Sequence, residues 1–142
     1  MTLTADDLKA TFDAFNRHDI AAVMTHFAED CACLRRWLGP EVFGTRIEGR
    51  EAIARAFVGV WTAMPDAQWA GHSHFVQGDR AVSEWTFIGT DAAGNRTEAQ
   101  GVDLFTIRDG KLVMKQAFPQ ATPGHRGQAK FPQNSSGKNS VQ

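Results

Sequence analysis

Asp103 is the residue of this sequence whose position most strongly suggests chemistry. It stands in Gly101-Val102-Asp103-Leu104-Phe105, an apolar run that ends at the turn Asp109-Gly110. A strand interior disfavours Asp, because the side chain packs poorly there and loses its hydration. If the carboxyl points into a core or pocket, its pKa rises, unless a cation or hydrogen bonds hold it ionised. Asp103 is therefore either a structural acid with a partner or the centre of a site.

Two histidines, His72 and His74, alternate along a predicted strand and therefore share one of its faces. A tight turn at Gly78-Asp79 would direct Ser73 and Phe75 into a pocket and both histidines away from it, and a one-residue shift of register would reverse this. His74 has the more apolar neighbours and is the better catalytic candidate of the two. Two histidines also suggest metal ligands, but no third ligand has convincing spacing, so we expect no metal.

The cysteine and tyrosine content narrows the mechanism further. Cys31 and Cys33 lie two positions apart on one predicted strand, which suits neither a usual disulfide loop nor a complete metal site. We interpret them as small buried apolar side chains. The chain contains ten Phe and four Trp but no Tyr, so a mechanism that needs a phenol as acid or donor is excluded.

Composition and charge restrict the class of protein. The 142 residues are 42% hydrophobic and 22% charged, which fits one globular domain with a real core. A formal net charge of -1 gives no polycationic surface, so we expect no nucleic-acid partner. No apolar run approaches the roughly 20 residues of a membrane span, and the acidic N-terminus lacks the regions of a signal peptide. We therefore expect a cytoplasmic protein that does not associate with membranes.

Three helices and a series of strands must position these residues. Capping residues and apolar periodicity predict a helix from Thr4 to near Asn16-Arg17-His18, a short helix capped by Asp19, and a helix from Arg50 to Ala63. A strand is predicted at Cys31 to Trp37, and a loop then runs to Gly49. Turn sequences separate four later strands, at Gln68 to Gln77, Arg80 to Asp91, Arg96 to Arg108 and Lys111 to Phe118. This order predicts an α+β fold with helices on one face of a curved antiparallel sheet.

The composition changes at Pro119, after the last predicted strand. From there the chain is rich in Pro, Gly, Gln, Ser and Asn, with three positive charges and no negative one. Such segments cannot bury enough apolar surface to pack. We predict a domain at residues 1–118 and a polar, flexible tail at residues 119–142.

Several short segments together resemble the SnoaL-like and ketosteroid isomerase-like branch of the nuclear transport factor 2-like superfamily. They occur in the family's order and spacing and cover about residues 5 to 118. They are Phe15-Asn16-Arg17-His18-Asp19, Phe27-Ala28-Glu29-Asp30, Gly49-Arg50-Glu51-Ala52-Ile53, Gly78-Asp79-Arg80-Ala81-Val82 and Asp109-Gly110-Lys111-Leu112-Val113. The resemblance implies an α+β cone with a deep apolar pocket, commonly dimeric through the convex face of the sheet. It does not fix the activity, because the superfamily includes enzymes and non-catalytic binders.

The resemblance places Asp103 where ketosteroid isomerases carry an oxyanion-hole Asp, which an apolar site keeps protonated as a hydrogen-bond donor. Two other parts of that site do not carry over. The family's oxyanion Tyr falls at Thr11, and its general-base Asp falls at about Arg35. The loss of both argues against ketosteroid isomerase activity itself.

The same resemblance implies the other residues of the pocket. Counting back from the Gly94 turn directs Glu84, Thr86 and Ile88 inward and leaves Trp85 and Phe87 on the convex face. Arg35, Glu84, Asp103 and Lys115 would then converge as two acids and two bases, able to divide acid and base roles or to bind a carboxylate. They could equally neutralise each other as structural pairs. The apolar walls would come from Phe15, Cys33, Trp37, Phe57 and Trp61.

Three hypotheses follow for the function. The first is an enzyme without a cofactor that isomerises, cyclises or dehydrates a small, largely apolar organic molecule, with Asp103 as acid or oxyanion donor and Glu84 or His74 as base. The second is a non-catalytic protein that binds a hydrophobic ligand. The third is a homodimeric interaction module whose convex sheet face exposes Trp85 and Phe87.

Overall fold

The computed structural model describes residues 2–35 and 45–120 of the chain. Within these ranges the protein has three helices and six strands in the order α1, α2, β1, β2, α3, β3, β4, β5 and β6. Trp37 and the predicted tail beyond Gln120 lie outside the described residues. No helix of the described ranges is long and apolar enough to cross a membrane.

All three predicted helices are confirmed. They are α1 at Ala5–Arg17, α2 at Ile20–Met24 and α3 at Arg50–Ala63. Thr4 and Asp7 form a capping box at the start of α1: the Thr4 hydroxyl accepts from the Asp7 N–H, and the Asp7 carboxylate accepts from the Thr4 N–H. Asp19 caps α2 by accepting from the N–H of Ala22. These caps satisfy N–H groups that the helices cannot satisfy internally.

The strands form one sheet in the order β2-β1-β6-β5-β4-β3. Their bounds are β1 Phe27–Arg35, β2 Thr45–Glu48, β3 Gln68–Gln77, β4 Arg80–Thr90, β5 Arg96–Arg108 and β6 Lys111–Gln120. The sheet is mixed rather than wholly antiparallel as predicted, because β1 pairs with β6 in parallel. Most of the chain separates this pair in sequence, so no hairpin requires the two strands to run in opposite directions. β2 is a strand where a loop was predicted.

The helices cover one face of the sheet, which we call the inner face. Phe12 of α1 contacts the rings of His72 and His74 on β3, with centroid distances of 5.5 and 5.0 Å. On the other side of the sheet's centre, the ring of Phe57 on α3 lies 5.7 Å from Lys115 Nζ on β6. The opposite face, which we call the outer face, carries Phe75, whose large apolar side chain is exposed.

A bulge in β3 determines which of its side chains point inward. The pairing of β3 with β4 shifts between Ala70 and Ser73, and Gly71 adopts a φ of +60° within the shift. Gly accepts this left-handed conformation without the steric penalty of a side chain. As a result Trp69 on one side of the bulge and His74 on the other both point toward the helices.

Candidate functional site

One line of residues crosses five strands of the sheet on its inner face. The backbone register pairs Arg35 of β1 with Ala117 of β6, Ala117 with Asp103 of β5, Asp103 with Ser83 of β4, and Ser83 with His74 of β3. Directly paired residues point to the same face of a sheet. The register therefore places three of the predicted polar residues, Arg35, Asp103 and His74, in one row below the helices.

Asp103 forms the buried centre of this row. Its side chain is 1% exposed, and its Oδ1 atom lies 3.4 Å from Nζ of Lys115, whose side chain is 11% exposed. The contact is an ion pair by distance, yet Oδ1 accepts no hydrogen bond within the described part of the chain. A buried carboxylate oxygen without a hydrogen bond is costly, so Asp103 is held in an environment that opposes its charge.

Burial raises the pKa of the Asp103 carboxyl, and this effect outweighs the opposing influence of the Lys115 charge and of the Trp85 indole. Burial lowers the pKa of Lys115, but the Asp103 charge opposes it and the net direction is upward. A raised Lys115 pKa requires an ionised Asp103, whereas a raised Asp103 pKa brings protonation within reach. Of the two directions, the raised pKa of Asp103 governs the pair, because its carboxyl is fully enclosed and Oδ1 lacks a hydrogen bond within the described residues. The Asp103 carboxyl is therefore protonated more readily than a solvated Asp.

Three of the aromatic side chains predicted as apolar walls are buried in the core below the helices. Phe57 packs edge-on against Phe15, at 4.8 Å between ring centroids, and faces the Lys115 ammonium. Trp61 stacks on the His18 ring at 4.8 Å. Phe15, Phe57 and Trp61 are all buried. Phe57 therefore lies on the Lys115 side of the Asp103–Lys115 pair.

Trp85 also belongs to the inner face, beside Asp103. Its indole lies against Gly101, its partner on β5, so closely that a Cβ at Gly101 would stand 2.4 Å from the ring. The indole N–H of Trp85 lowers the pKa of Asp103, but the N–H meets no acceptor in hydrogen-bonding geometry in the described ranges. Trp61 Nε1 is likewise buried without a partner there. Buried indole N–H groups usually have a partner, so these donors are available to one.

The predicted orientation of β4 is wrong. Glu84, Thr86 and Ile88 point to the outer face, and Trp85 and Phe87 point inward. The turn between β4 and β5 holds five residues, since Thr90 pairs with Arg96, so counting back from Gly94 gives the wrong alternation. The predicted convergence of Arg35 and Glu84 therefore does not occur, because their side chains lie on opposite faces.

The outer-face residues of β4 contribute to a different feature. Glu84 and Thr86 line a cavity of about 500 Å³ together with residues of β5 and β6. Glu84 also accepts a hydrogen bond of 3.3 Å from the Ser73 hydroxyl. The cavity is separated from Asp103 by the sheet itself, so Glu84 and Asp103 cannot act on one bound molecule there.

The same reversal applies to β3. Ser73 and Phe75 point outward, and Phe75 is 61% exposed, whereas His72 and His74 lie on the inner face against Phe12. A tight turn at Gly78-Asp79 is present, as Gln77 pairs with Arg80. The error came from β4, because β3 takes its orientation from the strand with which it pairs.

Four side chains form a continuous hydrogen-bonded series that ends at Ser83. Asp13 Oδ1 lies 3.1 Å from His72 Nε2, His72 Nδ1 lies 2.8 Å from His74 Nε2, and His74 Nδ1 lies 2.7 Å from Ser83 Oγ. We call Asp13, His72, His74 and Ser83 the histidine chain. Ser83 is fully buried, and Asp13 at the other end is half exposed.

Partial burial lowers the pKa of His74 to about 4, and the neighbouring His72 adds to this effect. Asp13 opposes the shift and Lys9 reinforces it slightly. His74 is consequently neutral at physiological pH, so one of its two hydrogen-bonded ring nitrogens carries no hydrogen and acts as an acceptor. Within the described residues no group of three or more His, Cys, Asp or Glu side chains is placed to hold a metal ion.

Sequence reasoning named Asp103, His74 and Lys115 as site candidates, and the structure places all three on the inner face. It missed Ser83, Asp13 and the inward position of Trp85. The alternation in β4 could have predicted its orientation, since the large aromatic residues Trp85 and Phe87 are two positions apart and share one face of the strand. Ser83 lies on that same face. The place of Asp13 in the histidine chain had no signal in the spacing, because it depends on how α1 crosses β3.

Comparison with known proteins gives the family. A family model described as SnoaL-like domain matches residues 8–114, which is most of the chain. A protein from Xanthomonas campestris pv. campestris, described as a candidate polyketide cyclase, is 25% identical with a TM-score of 0.67 over 79% of this chain and 86% of that one. TerC, co-crystallized with polyporic acid, is 22% identical with a TM-score of 0.68 over 81% and 89%.

A third solved structure is an NTF2-like protein of unknown function from Burkholderia pseudomallei K96243. It is 20% identical with a TM-score of 0.69, over 81% of this chain and 88% of that one. No curated protein gives a significant match to the chain. These results confirm the resemblance on which the fold was predicted. The chain belongs to the SnoaL-like domain family and has its NTF2-like α+β fold.

Proposed function

We propose that the protein is an enzyme without a cofactor that moves a proton on a small, largely apolar organic molecule, in an isomerisation, cyclisation or dehydration. The observation that carries this proposal is Asp103, a fully buried carboxyl with a raised pKa whose Oδ1 atom has no hydrogen bond within the described residues. Perturbed acids of this kind concentrate at functional sites. Membership of the SnoaL-like family supports the same class of chemistry.

In this proposal Asp103 acts as the acid or as the donor to a developing oxyanion. The surrounding rings of Phe57, Trp85 and Phe105 exclude water, which strengthens a hydrogen bond from the acid to a substrate oxygen. Lys115 adds a positive charge 3.4 Å away, which favours negative charge developing on the substrate. Trp85 Nε1 offers a second donor on the same face.

The basic group of the reaction is His74, acting through the hydroxyl of Ser83, rather than Glu84. Glu84 lies on the outer face, so the sheet separates it from Asp103. His74 occupies the inner row two strands from Asp103, and Ser83 stands between them in the register, 2.7 Å from His74 Nδ1. A substrate held at Asp103 would therefore meet the Ser83 hydroxyl rather than the His74 ring. The neutral state of His74 provides a nitrogen that accepts from this hydroxyl.

Deuterium exchange on a carbon acid tests the proposal although the natural substrate is unidentified. An aryl ketone such as indanone is incubated with the full chain in deuterium oxide, and proton NMR follows the loss of its α-protons. We expect exchange above the buffer rate, with polyporic acid or a naphthol as competitor, and a loss of about 100-fold or more in Asp103→Asn. Glu84→Gln is the matched control and should retain the wild-type rate. Exchange that Asp103→Asn leaves unchanged would contradict the role of Asp103.

A second candidate is a binding protein without catalysis. The observation that favours it is the ion pair itself, since Lys115 and Asp103 could neutralise each other as a structural pair. This alternative predicts that naphthol or polyporic acid quenches Trp fluorescence in the wild type while no ketone undergoes exchange.

The interaction-module hypothesis loses its main support, because Trp85 is buried and Phe87 packs against Trp69. A homodimer through the outer face, where Phe75 is exposed, and a cytoplasmic location remain predictions. Sedimentation velocity of the full chain tests the dimer. A monomer at micromolar concentration would contradict it.

A further inference from the structure

We propose that the histidine chain is a proton relay, which connects the buried inner face at Ser83 with solvent at Asp13. The inference rests on the proposed function and adds to it the group that exchanges protons with the substrate and the route by which protons leave. In this assignment Ser83 is the member of the relay that meets the substrate. His74, His72 and Asp13 act through it as positioning residues.

The geometry supports a relay because every link is short and the two ends differ in exposure. The three links measure 2.7, 2.8 and 3.1 Å from Ser83 outward to Asp13. The inner end, Ser83, has no exposed surface. The outer end, Asp13, is 42% exposed and holds Lys9 at 3.0 Å, so it contacts both water and a surface charge.

The position of Ser83 connects the relay with the proposed acid. Ser83 on β4 is the direct register partner of Asp103 on β5, and both point inward. Side chains of directly paired residues have Cβ atoms about 4.5–5.5 Å apart. A molecule that reaches Asp103 is therefore within reach of the Ser83 hydroxyl as well. Acid and relay would then serve two atoms of one substrate.

The partners at the two ends assign the hydrogens along the chain. The Asp13 carboxylate can only accept, so His72 Nε2 carries a hydrogen and donates to it. In the proposed tautomer His72 Nδ1 carries no hydrogen and accepts from the Nε2–H of His74. Neutral His74 has in turn a bare Nδ1, which accepts from the Ser83 hydroxyl. All three donors point from the inner face toward Asp13.

This arrangement is poised to carry one proton outward. When Ser83 Oγ takes a proton from the substrate carbon, the electron pair of that C–H bond stays on the substrate, and the original hydroxyl hydrogen passes to His74 Nδ1. His74 gives its Nε2 hydrogen to His72 Nδ1, and His72 gives its Nε2 hydrogen to the Asp13 carboxylate, which releases it to water. At the end of the transfer each residue has the same charge as at the start. Return of a proton along the same path restores the original tautomers.

The groups around the chain determine its pH range. His74 faces His72 on its own strand, Asp13 and Lys9 on α1, and Ser83 on β4, with Phe12 against both rings. Asp103 faces Ser83 from β5. A protonated His74 cannot accept from Ser83, so the relay should fail in acid and work at neutral pH.

NMR of the full chain with isotope-labelled histidine nitrogens tests the assignment. We expect His74 to be neutral at neutral pH, and both His72 and His74 to carry a hydrogen on Nε2 and to accept at Nδ1. In Asp13→Ala the tautomer preference should weaken at both residues, although His74 does not touch Asp13. Lys9→Ala, which removes only the outer charge pair, is the control. A charged His74, a hydrogen on His74 Nδ1, or an unchanged His74 in Asp13→Ala would overturn the relay.

The deuterium-exchange assay separates failure of the relay from failure of the proposed function. We expect Ser83→Ala and Asp13→Ala to lower the exchange rate by about tenfold or more, while the outer-face control Ser73→Ala keeps the wild-type rate. If Asp103→Asn abolishes exchange and Ser83→Ala leaves it unchanged, the relay is wrong and the proposed function stands. If the wild type exchanges no ketone, the proposed function fails, and the relay fails with it as a catalytic device.

Discussion

The stability of Asp103→Asn as a function of pH should reveal the electrostatic state of the inner face. In the folded protein burial raises the pKa of Asp103, whereas the unfolded chain returns it to the ordinary value near 3.9. Above that value the folded state binds more protons than the unfolded state. The wild type should therefore lose stability relative to Asp103→Asn as the pH rises, by up to about 1.4 kcal/mol per pH unit, until the pH passes the folded pKa.

The charge of Lys115 is already included in this slope. Lys115 stays protonated across the acidic and neutral range, and its attraction for ionised Asp103 opposes the rise of the Asp103 pKa without reversing it. At low pH, where Asp103 is protonated, neither the wild type nor Asp103→Asn has an ion pair with Lys115. The change of the stability difference with pH is therefore the informative quantity.

Urea unfolding of both proteins between pH 4 and pH 8, on the order of one pH unit apart, measures that slope. Glu84→Gln, which removes a carboxylate from the outer face of the same sheet, controls for the general effect of net charge. A wild type that gains stability relative to Asp103→Asn with rising pH would refute the reasoning. That result would mean that Lys115 holds the pKa of Asp103 below its ordinary value, as in a structural ion pair.

Two further predictions concern packing and the histidine chain. Gly101→Ala should destabilise the fold by about 1–3 kcal/mol in urea unfolding, because the new Cβ would lie 2.4 Å from the Trp85 ring. Gly59→Ala in α3 is the control and should be neutral or stabilising, since no atom lies within 4 Å of the new Cβ. Equal stabilities of the two variants would show that Trp85 can move aside. For His74, a pKa lowered to about 4 means that the folded state resists protonation, so its contribution to stability is lost as the pH falls from about 6.5 to 4. The full shift corresponds to about 3 kcal/mol, which partial exposure reduces to about 1–2 kcal/mol. His74→Gln should remove this dependence, and a retained dependence would assign it to another group.

The order of the elements and the position of the acid were predictable from local signals. The caps at Thr4 and Asp19 mark the starts of two helices, and the turn at Asp109-Gly110 marks a chain reversal. All three depend only on nearby residues. Asp109 and Gly110 both adopt positive φ, at 53° and 76°, as a tight hairpin turn requires. The apolar run around Asp103 likewise predicted its burial, because an isolated Asp in such a run has no solvated position.

The orientations of β3 and β4 were not predictable by counting from turns. A five-residue turn and the bulge at Gly71 each change the alternation, and neither length is fixed by the residue types alone. The choice of side that buries Trp85 and Phe87 would have given the right answer, because burial of large aromatic rings outweighs turn geometry in setting register. That choice would also have identified Ser83.

Long-range contacts were the least predictable part of the site. The approach of Asp13 to His72 depends on the angle at which α1 crosses the sheet, and the pairing of β1 with β6 depends on the whole chain between them. Neither has a period or a motif in the sequence. The histidine chain could therefore be identified only from coordinates.

The most direct test of the central claim, that the inner face binds a substrate at Asp103, is a crystal structure of the wild-type protein soaked with a naphthol. We expect the ligand oxygen about 2.5–3.0 Å from the Asp103 carboxyl, with its rings against Phe57 and Trp85 and a second edge near Ser83. A ligand seated only in the outer-face cavity beside Glu84, with the Asp103–Lys115 pair closed over the inner face, would contradict that claim.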